Sequence, residues 1–192
     1  GLDCMWAIGL DPVTGLPRYG GGGTRGVLRS EDGGLTWEVA TEGINALQPI
    51  DISASATNPE QIYVAASSAG GFASADAGQS WQLGVAGVWT DISAASADPV
   101  QSCVGYLGSM GPGQQPNTGV GCVYKTTDCG QTWEPHYFPE TPSVGEIVYV
   151  VAVDPHDPDT LFAGGVRSWF DTDADAGMVY RLSLIHISEP TR

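Results

Sequence analysis

One eight-residue pattern, Ser/Thr-x-Asp-x-Gly-x-Ser/Thr-Trp, occurs three times and limits what the chain can fold into. It reads Ser30-Glu31-Asp32-Gly33-Gly34-Leu35-Thr36-Trp37, then Ser74-Ala75-Asp76-Ala77-Gly78-Gln79-Ser80-Trp81, then Thr126-Thr127-Asp128-Cys129-Gly130-Gln131-Thr132-Trp133. An Asp carboxylate accepts hydrogen bonds from the backbone N–H groups that follow it. Gly34, Gly78 and Gly130 supply a positive φ. The hydroxyls of Ser30, Ser74 and Thr126 tie the ends together. The Trp then enters the next strand as a large apolar body. The pattern is therefore a hairpin turn between two short strands.

Asp32, Asp76 and Asp128 stand 44 and 52 residues apart, the length of one four-stranded propeller blade. A second repeat aligns Asn58-Pro59-Glu60-Gln61-Ile62-Tyr63-Val64 with Asp98-Pro99-Val100-Gln101-Ser102-Cys103-Val104 and with Asp157-Pro158-Asp159-Thr160-Leu161-Phe162-Ala163. Each is a turn signal followed by a strand. Strands A to D are expected at 51–55, 61–66, 71–74 and 80–85, then at 91–95, 102–106, 122–126 and 132–137. In the first blade, strands B, C and D are expected at 3–8, 26–30 and 36–40, so that this blade lacks its inner strand. The blades then span 1–43, 44–85, 86–139 and 140–181. No stretch carries a helical period.

The three turns and the repeat length resemble the Asp-box (bacterial neuraminidase repeat) superfamily of β-propellers, over about Asp3 to Arg181. That superfamily includes sialidases, xyloglucanases, sortilin-type receptors and photosystem II assembly factors. The resemblance implies an all-β fold, an open fragment of about three to four four-stranded blades. It implies further blades of the same chain on both sides, since a closed ring takes about 4–8. The fragment alone is expected to aggregate through its open sheet faces. The motif identifies a scaffold and leaves the chemistry to the site.

The fourth blade should reach its own Asp box at residue 182. The chain instead reads Leu182-Ser183-Leu184-Ile185-His186-Ile187-Ser188-Glu189-Pro190-Thr191-Arg192. That string resembles a conceptual translation of a sequencing-library adapter, so residues 182–192 are expected to be a non-native tail.

The charge balance is 7 Lys+Arg against 22 Asp+Glu, a net −15. Such a surface repels nucleic acid and anionic membranes and suits cations, basic partners or neutral glycans. No apolar run is long enough to span a bilayer. An extracellular or periplasmic location is expected. Cys103 and Cys122 fall on strands read as hairpin neighbours, which leaves a disulfide and buried free thiols as two open readings.

With A–B and C–D turns on one face, the B–C loops lie on the other. They are read as 9–25, 67–70, 107–121 and 165–177. Long loops on a rigid scaffold are where binding concentrates, so a glycan or protein ligand is expected there. Its candidate contacts are Arg18, Tyr19, Trp89, Arg167, Trp169 and Phe170. Packing between blades is the competing reading of Trp89 and Trp169. Asp171, Asp173 and Asp175 alternate as hard oxygen ligands of calcium do; a solvated acidic loop competes, and no cofactor is required. Asp51 and Asp91 open strand A at equivalent positions of adjacent blades, where paired carboxylates could serve glycoside hydrolysis as acid and base; a strand-start cap on the backbone is the favoured reading of both. Xyloglucanases of the resembling superfamily use two aspartates from different propellers. The arginine cluster and Phe/Tyr-Arg-Ile-Pro motif of sialidases are absent from this stretch. His136 and His156 read as surface residues. The expectation is an exported binding scaffold, with a glycoside hydrolase of β-glucan or xyloglucan type as the alternative.

Overall fold

The computed structural model describes residues 5–23, 25–44, 48–67, 69–85, 91–109, 121–137, 147–166 and 177–183. They form fifteen strands and no helix. Strands β1 (Ala7–Leu10), β2 (Pro17–Gly21), β3 (Val27–Arg29) and β4 (Glu38–Val39) pair in sequence order as one sheet. So do β5 (Pro49–Ala54), β6 (Ile62–Ala66), β7 (Gly70–Ser74) and β8 (Gln82–Val85). The third sheet is β9 (Ile92–Ala97), β10 (Gly105–Ser109), β11 (Cys122–Thr126) and β12 (Glu134–Tyr137). The fourth has β13 (Ile147–Val153), β14 (Thr160–Val166) and β15 (Gly177–Ser183). All neighbours are antiparallel. The first strands lie against one another in succession, β1 on β5, β5 on β9, β9 on β13. The sheets therefore fan out from a common inner edge as the blades of an open β-propeller.

Each core is shared by two blades. The first joint holds Ala7, Tyr19 and Val27 from blade 1 against Ile52, Ile62, Val64, Phe72 and Trp81 from blade 2. The second and third join blades 2 to 3 and 3 to 4 in the same way. Strand β6 shows why: Ile62, Val64 and Ala66 face the preceding blade while Tyr63 and Ala65 face the following one. A strand sandwiched between two sheets is apolar on both faces, and all five of its residues are buried.

Register makes the repeat visible residue by residue. Tyr19 pairs with Gly9, Tyr63 with Ser53, Tyr106 with Ser96 and Phe162 with Ala152. These four aromatics occupy one position of strand B; Tyr19, Tyr63 and Tyr106 are buried against the following blade, and Phe162 is exposed. The Tyr63 ring meets Trp133 edge-on at 5.6 Å. Gly105 is where the Tyr63 ring passes: a Cβ there would stand 2.4 Å from Tyr63 Cε2.

Three expectations need correction. The first blade does not lack its inner strand: Ala7–Leu10 is that strand, paired only with β2. Its strand B is Pro17–Gly21, within the stretch read as a B–C loop. Two glycines and an arginine hid the apolar signal there, because Gly20 and Gly21 let Met5, Trp37 and Pro49 close over the backbone. In blade 3, strand B starts at Gly105 and not at residue 102. Equivalent turn bonds run from the N–H of Ser55, Asp98 and Asp154 to the carbonyls of Gln61, Val104 and Thr160. Asn58 thus matches Gln101 and Asp157, and Asp98-Pro99 opens its turn three residues earlier than Asn58-Pro59 does. An Asx-Pro pair punctuates a turn wherever it falls within it. Lastly, the disulfide joins Cys103 to Cys129, not Cys103 to Cys122. The shifted strand puts Cys103 in the A–B turn, beside the C–D turn, where the Cys129 N–H donates to its carbonyl. Cys122 is a buried free thiol whose pKa burial pushes up to about 11.

Strand β15 runs on through Leu182 and Ser183, which pair with Leu161 and Thr160. Residues 184–192 lie outside the described residues.

Candidate functional site

The three Asp turns are hydrogen-bonded alike. Asp32 Oδ1 accepts the Ser30 hydroxyl at 2.8 Å and the Thr36 N–H at 2.8 Å, and Oδ2 accepts the Thr36 hydroxyl at 2.6 Å. The Gly34 N–H returns to Ser30 Oγ at 2.8 Å. Asp76 repeats this with Ser74, Ser80 and Gly78, and Asp128 with Thr126, Thr132 and Gly130. The fourth position of the pattern is left-handed even where it is not glycine, at Ala77 and Cys129. The turns also latch the blades. Arg29 donates to the Ala77 carbonyl at 3.3 Å, and Gln61 donates to the Cys129 carbonyl at 3.2 Å.

These bonds favour the ionised carboxyls. The Thr36 hydroxyl and N–H hold Asp32 down at about 2. Burial opposes the shift at Asp76, but its hydrogen bonds from Ser80 and Ser74 prevail and its pKa is lowered; Thr132 lowers that of Asp128. A folded-state pKa below the unfolded one gives stability that is present above the unfolded pKa and lost as pH falls through the folded one. The urea midpoint is therefore expected to fall between about pH 4 and pH 2, and Asp76→Asn is expected to flatten that slope. An unchanged slope in the variant would refute the assignment.

A shallow cleft of about 300 Å³ lies between the A–B and C–D turns of blade 1, lined by Asp11, Thr14, Leu16, Arg18, Glu31 and Asp32 among others. Arg18 stands on β2 and pairs with Asp11 at 2.6 Å. The Thr14 N–H and Arg18 hold Asp11 down at about 2. Arg18 therefore lies on the Asp-turn face, not the opposite one. Tyr19 is no ligand contact: it is fully buried in the first joint. Both follow from the corrected strand, which turns an assumed loop into sheet.

Asp51 and Asp91 are not equivalent. Asp51 pairs with Ala65 inside β5, a place filled in β9 by Ala94 opposite Gly108. Asp91 precedes β9. Asp51 Oδ2 accepts the Ala95 N–H at 2.9 Å, and Ser53 Oγ accepts the Ala97 N–H at 2.9 Å. Together they clasp the inner edge of the next blade. Burial raises the Asp51 pKa against the hydrogen bonds from Ala95 and Ile52.

The structure adds a second set of Asp turns. Asp11, Asp98 and Asp154 open their A–B turns and each accepts the two N–H groups at positions two and three beyond. The Asx-turn signal was present in the sequence but masked by the displaced alignment. Trp89, Arg167, Trp169, Phe170, Asp171, Asp173 and Asp175 lie outside the described residues. His136 stands on β12, half-buried, and His156 is exposed in the last A–B turn.

No protein-family model matches the chain, and no curated protein does. Solved structures do. The GH74 enzyme of Niastella koreensis superimposes with a TM-score of 0.67 at 19% identity, over 95% of this chain and 29% of that one. The GH74 xyloglucanase of Xanthomonas campestris gives 0.62 at 22% identity, over 92% and 28%. The β-propeller domain of Cps50 (Swd1) from Myceliophteria thermophila gives 0.53 at 9%, over 94% and 58%. The chain thus spans less than a third of the GH74 structures. At these identities the likeness establishes the fold: this chain is an open, four-bladed β-propeller segment.

Proposed function

We propose that the chain belongs to an exported Asp-box propeller that serves as a protein- or glycan-binding scaffold. One observation carries this reading. The carboxylates of Asp32, Asp76, Asp128 and Asp51 are all engaged by backbone N–H groups, so the three turn acids fix their own hairpins and Asp51 clasps the next blade. The Cys103–Cys129 disulfide supports export, since such bonds persist in oxidising compartments. Ligand binds on the B–C loop face, to which the sequence assigns Trp89, Arg167 and Trp169. Glycan-array binding and hydrolysis assays test the reading. Glycan or protein capture without turnover supports it; turnover of a glycan sinks it.

The second reading is a glycoside hydrolase of xyloglucan or β-glucan type. It is favoured by the raised pKa of Asp51 on the innermost strand, since a general acid needs such a carboxyl. The fold likeness to GH74 enzymes agrees with it. Under the scaffold reading, Asp51→Asn lowers stability and leaves no hydrolytic activity to lose. Hydrolysis present in the parent chain and abolished in Asp51→Asn would establish the enzyme.

A further inference from the structure

Asp98 is the buried member of its set. Asp11, Asp98 and Asp154 each spend Oδ1 on two backbone N–H groups of their A–B turns. Asp11 Oδ2 meets the Arg18 guanidinium at 2.6 Å. Asp154 lies in an exposed turn beside His156. Asp98 is fully buried, and its Oδ2 has no hydrogen-bond partner among the described residues. Tyr106 matches Tyr19 in register, so Gly105 stands where Arg18 does. A side chain there would strike the Tyr63 ring. The joint therefore cannot give Asp98 the cation that blade 1 gives Asp11.

Two more orphaned groups lie beside it. Gln61 and Tyr63 of blade 2 are fully buried. The Gln61 amide nitrogen is committed to the Cys129 carbonyl at 3.2 Å, and turning the amide over would set its oxygen against that carbonyl. Gln61 Oε1 and the Tyr63 hydroxyl have no partner among the described residues. The backbone brings the three together. Cys129 is bonded to Cys103, the Val104 carbonyl takes the Asp98 N–H, and Gly105 lies under the Tyr63 ring. Burial drives the Tyr63 pKa up; the Gln61 side chain opposes the rise, and the Asp128 and Asp98 charges add to it. Tyr63 senses both neighbours, yet its hydroxyl meets the geometry of a hydrogen bond with neither. The set is not repeated in the other joints. The corresponding residues are Pro17, Tyr19 and Ser55 in the first, and Val104, Tyr106 and Asp154 in the third.

Counting protons identifies the occupant. Asp98 Oδ2 and Gln61 Oε1 are acceptors, and the Tyr63 hydroxyl has one proton to give. A direct Tyr63–Asp98 bond would leave Gln61 Oε1 bare at its full desolvation cost. One water has two protons to give and lone pairs to accept with. A cation fits worse. Among the described residues no three His, Cys, Asp or Glu side chains stand together to hold one, and calcium takes about 6–8 oxygens.

We propose that Asp98, Gln61 and Tyr63 form an interior water site: one water donates to Asp98 Oδ2 and Gln61 Oε1, accepts from the Tyr63 hydroxyl, and so latches blade 2 to blade 3. Buried waters make about three hydrogen bonds each. The site draws on two blades and forms only when they dock.

The test is a crystal structure of the 192-residue chain, with oxygen-17 magnetic relaxation dispersion on that chain and on Tyr63→Phe to follow waters held inside the protein. Tyr63→Phe keeps the ring that meets Trp133 and removes only the oxygen; circular dichroism checks that the sheet is kept. The parent is expected to show density within about 2.6–3.2 Å of all three oxygens and a slowly exchanging water. In Tyr63→Phe that water is expected to exchange about tenfold faster, the worth of one hydrogen bond. Equal exchange in the two chains overturns the site. So does a direct bond from the Tyr63 hydroxyl to Asp98 with no density between them. A thermal midpoint that calcium raises in the parent and not in Asp98→Asn puts a cation there and overturns the water.

Discussion

Trp81→Ala is expected to destabilise the protein by about 3–5 kcal/mol, the usual cost of removing a buried aromatic. Trp81 is 6% exposed and packs between blades 1 and 2. Its indole N–H donates to the Ala40 carbonyl of the preceding blade at 2.9 Å. The truncation therefore opens a cavity and orphans an acceptor in one joint. Trp37 is the same motif residue on the open face, where it covers Gly20 beside Met5. Its indole N–H stays within its own turn, on the Gly34 carbonyl. Trp37→Ala is expected to cost less than about 2 kcal/mol in a monomer, since little surrounds it to leave a cavity. Urea unfolding of both variants decides the matter. Equal losses would mean that the joint adds nothing to the turn.

Reducing the Cys103–Cys129 disulfide is expected to cost about 3.5 kcal/mol, the chain-entropy value for cross-linking residues 26 apart. The double variant Cys103→Ala, Cys129→Ala should match the reduced parent. Cys122→Ala should leave the response to reductant unchanged, because Cys122 is a buried free thiol. The bond staples an A–B turn to a C–D turn, and the Cys129 carbonyl is also the acceptor for Gln61 of blade 2. Loss of the bond should therefore loosen the second joint more than the first. Amide hydrogen exchange around Gln61 reads that difference. Uniform protection in oxidised and reduced protein would refute the coupling.

What the sequence disclosed and what it hid follow from the kind of signal. The Asp turns were legible because four positions of the pattern, the two hydroxyl residues, the Asp and the Gly, are tied by hydrogen bonds within one hairpin. Strands next to them, such as β7 and β11, fell where expected. Strand β2 was not legible: its sequence Pro17-Arg18-Tyr19-Gly20-Gly21 has one apolar side chain, and its burial comes from residues distant in sequence. The blade 3 register slipped because Asp98-Pro99 and Asn58-Pro59 look alike but sit at opposite ends of the same turn. That slip made Asp51 and Asp91 seem equivalent, and it paired Cys103 with the wrong cysteine. Of the candidate site, Asp51 was correctly noticed as a strand A carboxylate. Its partner, the Ala95 N–H of another blade, has no sequence signature. Arg18 was noticed and then assigned to the wrong face, because the face depends on which strand carries it.

Shared cores also set a timetable for synthesis. No blade here owns the apolar surface that stabilises it, so each must wait for its successor to leave the ribosome. Successive turns are 44 and 52 residues apart, which at about 5–20 residues per second is a delay of about 2 to 10 seconds per blade. Through each interval a knob such as Tyr63 is made but unseated. Polar groups on the strand flanks, among them Ser53, Gln61 and Asp51, are in place before the apolar seat arrives. During that wait they are the part of the nascent blade that water can hold in solution.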